Sequence, residues 1–206
     1  MFPTLAQENL LGYDLLIRRR YVGRAWPYIL QFKVSDYLTA KWSDEWHKFN
    51  APYYRFSVYR ACDSPQHKLL KSIAENLSTV YYCGSGFPNC YAFSQCYTQK
   101  AVVKRTAFVP VGPLPEISDT EQHRIVFDTQ LQYGYWCSKD PRPVEVLQWE
   151  GIVSRVPADE PRTVSELNGL LGRALAEYGA SAGASLVELA QLLFRRSGAI
   201  LLLRVA

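Results

Sequence analysis

Two stretches decide the reading of this chain: Glu8-Asn9-Leu10-Leu11-Gly12-Tyr13-Asp14 and Tyr28-Ile29-Leu30-Gln31-Phe32-Lys33-Val34. In the first, Thr4 to Leu11 reads as a short helix that stops at Gly12, because glycine accepts the left-handed conformation that ends helices. Asp14 then opens a strand through Leu15, Leu16 and Ile17, which runs into Arg18, Arg19 and Arg20. After a turn at Gly23 and Pro27, the second stretch predicts a strand over residues 28–34, and the two strands together predict a hairpin. Ile29, Leu30, Phe32 and Val34 form a near-continuous apolar run, as in a strand covered on both faces. Gln31 and Lys33 interrupt it. Lying two apart, they leave the strand on one face, while Phe32 is expected to point the other way into the core with its carbonyl turned toward a bound cation. A lysine inside a doubly covered strand is costly unless it is paired or functional. Asp14 is its nearest candidate partner.

This grouping carries a chemical expectation. Hydrolysing a phosphodiester needs a cation to neutralise the phosphate, a water made more nucleophilic, and a stabilised leaving oxygen. A hard cation such as Mg2+ takes oxygen ligands and keeps several waters. A carboxylate at the start of one strand, beside a polar pair on the next, meets that need.

The order Glu8-x3-Gly12-Tyr13-Asp14, strand, turn, Gln31-Phe32-Lys33 resembles the PD-(D/E)XK (restriction-endonuclease-like) superfamily, in its branch with Q-x-K as the last motif. The resemblance covers about the first ninety residues, including the later helix with Gln66 and the strand from Val80 to Cys83. It implies a helix, three strands, a helix and a strand, and a Mg2+- or Mn2+-dependent endonuclease. By the same resemblance, Asp14 would bind the metal and Gln31 would stand where a second acidic ligand usually stands. Lys33 would position the attacking water and stabilise the charge that develops on phosphorus. Glu8 would be the helical glutamate that reaches the metal shell. The departure is Gln31, whose neutral amide gives the cation less field than a carboxylate does.

Outward from this core, Tyr53 to Arg60 predicts a third strand. Ser64-Pro65 starts a helix in which Leu69, Leu70, Ile73, Ala74 and Leu77 fall at helical spacing. Thr79 to Cys83 predicts a strand ending at Gly84, residues 89–99 a helix, residues 102–109 a strand, and residues 123–127 another. Tyr133 to Val144 reads as irregular. Thr163-x-x-Glu166 and Ser185-x-x-Glu188 match the capping box and open two helices. The expectation is therefore an α/β fold: a mixed central sheet flanked by helices over residues 1–160, and a helical C-terminal addition over residues 161–206.

The chain has 206 residues, nearly half of them hydrophobic, and a net charge of +4. That excludes disorder and is compatible with a phosphate-bearing partner. Arg18 and Arg19, Arg55, and Lys104 with Arg105 are the candidate nucleic-acid contacts, each also explicable as a solvated face. The five cysteines match no disulfide framework or zinc spacing. Gly179-Ala-Ser-Ala-Gly183 spells a nucleophile elbow, but no histidine follows it and the region before it is helical, which rejects a serine hydrolase. No signal peptide is visible, and Ala199 to Leu203 is too short to cross a bilayer, so the expected compartment is the cytoplasm with no membrane partner. DNA is the expected substrate, although no short motif discriminates it from RNA. A duplex cut would call for a homodimer or a partner protein docked on the C-terminal helices. The rival reading is a catalytically silent nuclease fold that binds nucleic acid or protein within a larger complex.

Overall fold

The computed structural model describes residues 23–58, 65–154 and 160–205. Glu8, Asp14, Arg18 and Arg19, with the helix and strand expected around them, lie outside these residues. The described strands are β1 (Arg24–Lys33), β2 (Asp36–Leu38), β3 (Tyr53–Val58), β4 (Val80–Ser85), β5 (Thr106–Pro110), β6 (His123–Asp128), β7 (Tyr133–Cys137), β8 (Arg142–Glu145), β9 (Arg162–Thr163) and β10 (Ala199–Val205). The helices are α1 (Trp46–Phe49), α2 (Gln66–Ala74), α3 (Cys90–Thr98), α4 (Trp149–Ser154), α5 (Val164–Leu175) and α6 (Leu186–Ser197).

The strands form two sheets, a mixed α/β arrangement. The first runs β10-β1-β4-β5, with β1 parallel to β4, the other pairs antiparallel, and β9 joined to the start of β1. The second is an antiparallel ladder, β2-β3-β6-β7-β8. One face of the first sheet (Ile29, Tyr82, Val109, Leu201) shares a core with Tyr54, Phe56, Ile125 and Phe127 of the second sheet and with the apolar stripes of α2, α5 and α6. Its other face, with Tyr28, Leu30, Tyr81, Cys83 and Phe108, is covered by Ile152 and Trp149 of α4. The outer face of the second sheet buries Tyr53, Val126 and Cys137 beneath Trp46 and Phe49 of α1.

Local chemistry sets the helix ends. Asn89 accepts a bond from the Ala92 N–H at 2.9 Å and starts α3. Both expected capping boxes form, Thr163 with Glu166 on α5 and Ser185 with Glu188 on α6. Removing the acceptor leaves an orphan amide, so Thr163→Ala is expected to lower stability by about 1 kcal/mol. Urea unfolding measures this, and an unchanged midpoint would dismiss the cap as a contributor.

Several sequence expectations need correction. The strand expected at residues 28–34 begins at Arg24 and ends at Lys33. Phe32 is 53% exposed rather than in the core, because the doubly covered part of β1 ends one residue earlier. Its expected hairpin partner, Leu15 to Ile17, lies outside the described residues. At Ile29–Gln31 the neighbours of β1 are β10 on one edge and β4 on the other. The strand expected from Val102 starts at Thr106, after a single 3-10 turn over Val103–Arg105. Tyr133 to Val144 is regular structure, the hairpin of β7 and β8. Residues 161–206, read as helical, also supply β9 and β10 to the first sheet, and their helices pack into the shared core. Ala-Ile-Leu-Leu-Leu carries no alternation, so periodicity could not identify β10.

Candidate catalytic site at the end of the first sheet

β1 and β4 run parallel and finish side by side, with Gln31 opposite Tyr82 and Lys33 opposite Gly84. In open α/β sheets ligands gather at the carboxyl ends of such strands. Gln31 and Lys33 leave β1 on the same face as Ile29, as expected from their spacing.

Gln31 is 4% exposed. Its Nε2 donates to the Phe32 carbonyl at 3.0 Å, which orients the amide, and its Oε1 is buried with no hydrogen-bond donor among the described residues. Leaving a buried acceptor unmatched costs about 1–3 kcal/mol, so its retention calls for a reason. The amide lies against Gly198, the left-handed residue (φ 66°) that ends α6; a Cβ there would stand 3.3 Å from Gln31 Nε2. The turn from α6 into β10 therefore wraps the Gln31 side chain.

Lys33 is partly buried. Its Nζ donates to Gln66 Oε1 at 2.5 Å and lies 5.7 Å from the centre of the Tyr82 ring. Gln66, the first residue of α2, in turn donates its Nε2 to the Ser197 carbonyl at the end of α6. Burial lowers the Lys33 pKa to about 8. Such an amine still carries its proton at neutral pH but gives it up more readily than an exposed lysine.

Behind it, the Tyr82 hydroxyl meets His67 Nδ1 at 2.9 Å, and His67 Nε2 meets the Pro115 carbonyl at 2.9 Å. A carbonyl only accepts, so Nε2 carries the histidine proton and Nδ1 accepts from Tyr82. Burial pushes the His67 pKa down and that of Tyr82 up. Both rings are thus held neutral. The wall behind Lys33 is hydrogen-bonded and uncharged. No protein-family model, curated protein or solved structure matches the chain.

The remaining expected contacts separate into two places. Arg55 leaves β3 on the outer face of the second sheet, 3.4 Å from Glu45 and 3.9 Å from Asp36. Glu45 is itself buried and also takes Arg124 at 3.0 Å and the Tyr53 hydroxyl at 2.8 Å. Arg55 therefore belongs to a buried-carboxylate network, and the fold does not bring it to Lys33. Lys104 and Arg105 are exposed on the 3-10 turn before β5. Because Thr106 pairs with Ser85, this turn lies at the same end of the first sheet as Lys33.

Among the described residues, no three His, Cys, Asp or Glu side chains are grouped to hold a metal. Of the expected ligands, Gln31 is described and Glu8 and Asp14 are not. The test of fit rests on Gln31, whose orphaned carbonyl oxygen is the donor type a hard cation takes. The residue that sequence reasoning passed over is Gln66. It stands 33 positions from its partner Lys33, at a separation no periodicity connects.

Proposed function

We propose that the protein is a metal-dependent nuclease that hydrolyses phosphodiester bonds, DNA being the preferred substrate. The observation that carries this reading is Lys33. It is a partly buried ammonium at the end of a parallel strand pair, on the same face as a glutamine carbonyl that has no donor among the described residues. Mg2+ or Mn2+, held by Asp14 and Gln31 with Glu8 near its shell, would supply Lewis-acid polarisation of the phosphate. Lys33 then donates to the attacking water or to a phosphate oxygen, where its charge is most useful as negative charge builds on phosphorus. Gln66 positions the ammonium. The N-terminal end of α2, which begins at Gln66, adds positive potential on the same side. Water oxygen bonds to phosphorus, the bond to the leaving oxygen breaks, and the proton released by the water ends on that oxygen or in solvent.

The experiment compares wild type with Asp14→Asn on circular single-stranded DNA, duplex DNA and RNA, in Mg2+ or Mn2+ and in EDTA. Cleavage should require the metal and fall at least about 100-fold in the variant, the scale set by removing one group that stabilises developing charge. Undiminished cleavage by Asp14→Asn would sink the assignment.

A second reading, a catalytically silent nuclease-like subunit, draws on β10, which pairs with the edge of β1 at Ile29–Gln31. Calorimetric titration with Mn2+ separates the two, because the silent form gives no heat that depends on Asp14. The active reading implies a cytoplasmic effector, with a homodimer or a partner on α5 and α6 needed to cut both strands. Among the described residues no helix is long and apolar enough to cross a membrane.

A further inference from the structure

Helix α3 buries none of its residues, which is unusual for a helix with so many aromatic side chains. Tyr91, Phe93 and Tyr97 are 71%, 44% and 59% exposed. Phe93 and Tyr97 share a face at i, i+4 spacing, their ring centres 6.2 Å apart. Directly after the helix come Lys100, Lys104 and Arg105, all exposed. Between Glu75 and Glu116 the sequence holds no aspartate or glutamate, so the only formal charges on this excursion are those three cations. Hydration alone does not account for the combination. A solvated helix has no use for exposed aromatic rings, and a helix docked on the body of the protein would bury them.

Position supplies the second argument. The excursion leaves from the end of β4 and returns at the start of β5, closed by a bond from the Gly86 N–H to the Arg105 carbonyl at 2.7 Å. Ser85 and Thr106 at its base are paired, and Gly84, next to Ser85, lies opposite Lys33. The aromatic face and its cations therefore stand at the end of the sheet that carries Lys33.

We propose that α3 and the turn after it form a binding platform for single-stranded nucleic acid. Bases stack on Phe93 and Tyr97, and the backbone phosphates run over Lys100, Lys104 and Arg105. From Phe93 to Tyr97 the helix rises about 6 Å, room for two neighbouring bases on the two rings. Duplex bases are already stacked on one another and offer no free face, so the platform selects single strands. This deepens the nuclease reading by naming its substrate class, yet it concerns binding and stands or falls without cleavage.

The test is fluorescence anisotropy in EDTA with labelled 12-nucleotide oligothymidylate, oligouridylate and a duplex of the same length. Full-length wild type is compared with Phe93→Ala/Tyr97→Ala and with Lys104→Gln/Arg105→Gln; these side chains are exposed, and circular dichroism verifies the fold. Wild type should bind both single strands more tightly than the duplex, with a log affinity against log salt slope near about −2 for three phosphate contacts. The aromatic variant should bind at least about tenfold more weakly, given the usual worth of a stacked base. The basic variant should weaken binding and flatten the salt slope. A preference between the thymidylate and uridylate probes would assign the sugar. Equal or tighter duplex binding, or binding indifferent to loss of both rings, would overturn the proposal. So would the absence of oligonucleotide binding together with ring-dependent self-association, which would give the face to a protein partner.

Discussion

Lys33→Met is expected to reduce metal-dependent cleavage at least about 100-fold while leaving the protein folded, since under the proposed function it removes the charged donor that stabilises charge on phosphorus. Methionine keeps the unbranched stem that packs beside Tyr82 and loses the bond to Gln66. A purely structural role for Lys33 would also be consistent with some loss of activity, so the pH profile is the sharper measurement. Burial lowers its pKa from 10.5 to about 8. If the ammonium stabilises phosphate charge, wild-type cleavage declines as pH rises through about 8, because the charge is lost there.

Stability moves the other way. Between about 8 and 10.5 the unfolded chain holds the Lys33 proton and the folded chain has released it, so deprotonation favours folding. The penalty for burying the charged form is present in full below the lower value, and it is relieved as pH rises toward the upper one. Wild type should therefore gain stability relative to Lys33→Met across that window, read by denaturant unfolding at a series of pH values. Opposite slopes for activity and stability would mark a residue kept charged for chemistry at a cost to the fold. A flat activity profile through pH 8 would remove Lys33 from the reaction.

Gly84→Ala should strongly destabilise the core. A Cβ at this position would lie 2.7 Å from Phe56 Cε1 and 2.8 Å from Phe127 Cε1, closer than carbon atoms approach. Both rings are fully buried in the second sheet and cannot swing away. Overpacking of this kind costs typically about 1–3 kcal/mol. At roughly 2–4 °C per kcal/mol for a chain of this size, the melting temperature should drop by about 2–12 °C. The change also acts on the site, because Gly84 lies opposite Lys33 and pushing the second sheet outward loosens the wall beside the ammonium. Activity should fall along with stability. A melting temperature within about 1 °C of wild type would mean that the sheets do not approach as closely at Gly84 as described.

Part of this architecture was legible because it depends on neighbours in the chain. The capping boxes at Thr163 and Ser185 and the buried stripe of α2 follow from side chains reaching their own backbone or from helical periodicity. The shared face of Gln31 and Lys33 follows from the two-residue repeat of a strand. Phe32 was misplaced because an apolar residue in an apolar run gives no sign that its cover ends one residue earlier. Tyr133 to Val144 concealed a hairpin because Gly134, Pro143 and a polar turn dilute the strand pattern, whereas packing against β6 and β7 restores it.

What the sequence determined by itself was local: the presence of α2, α3, α5 and α6, the caps that open the last two, and that a lysine and a glutamine would leave one strand together. Tertiary structure decided the rest. It set β10 against β1, carried Gln66 to Lys33, divided the strands into two sheets that meet at Gly84, and placed the aromatic helix at the end of the sheet that bears the lysine. These relations join residues far apart in the chain, and their free energy comes from burying apolar surface, which has no direction and leaves no periodic trace in sequence.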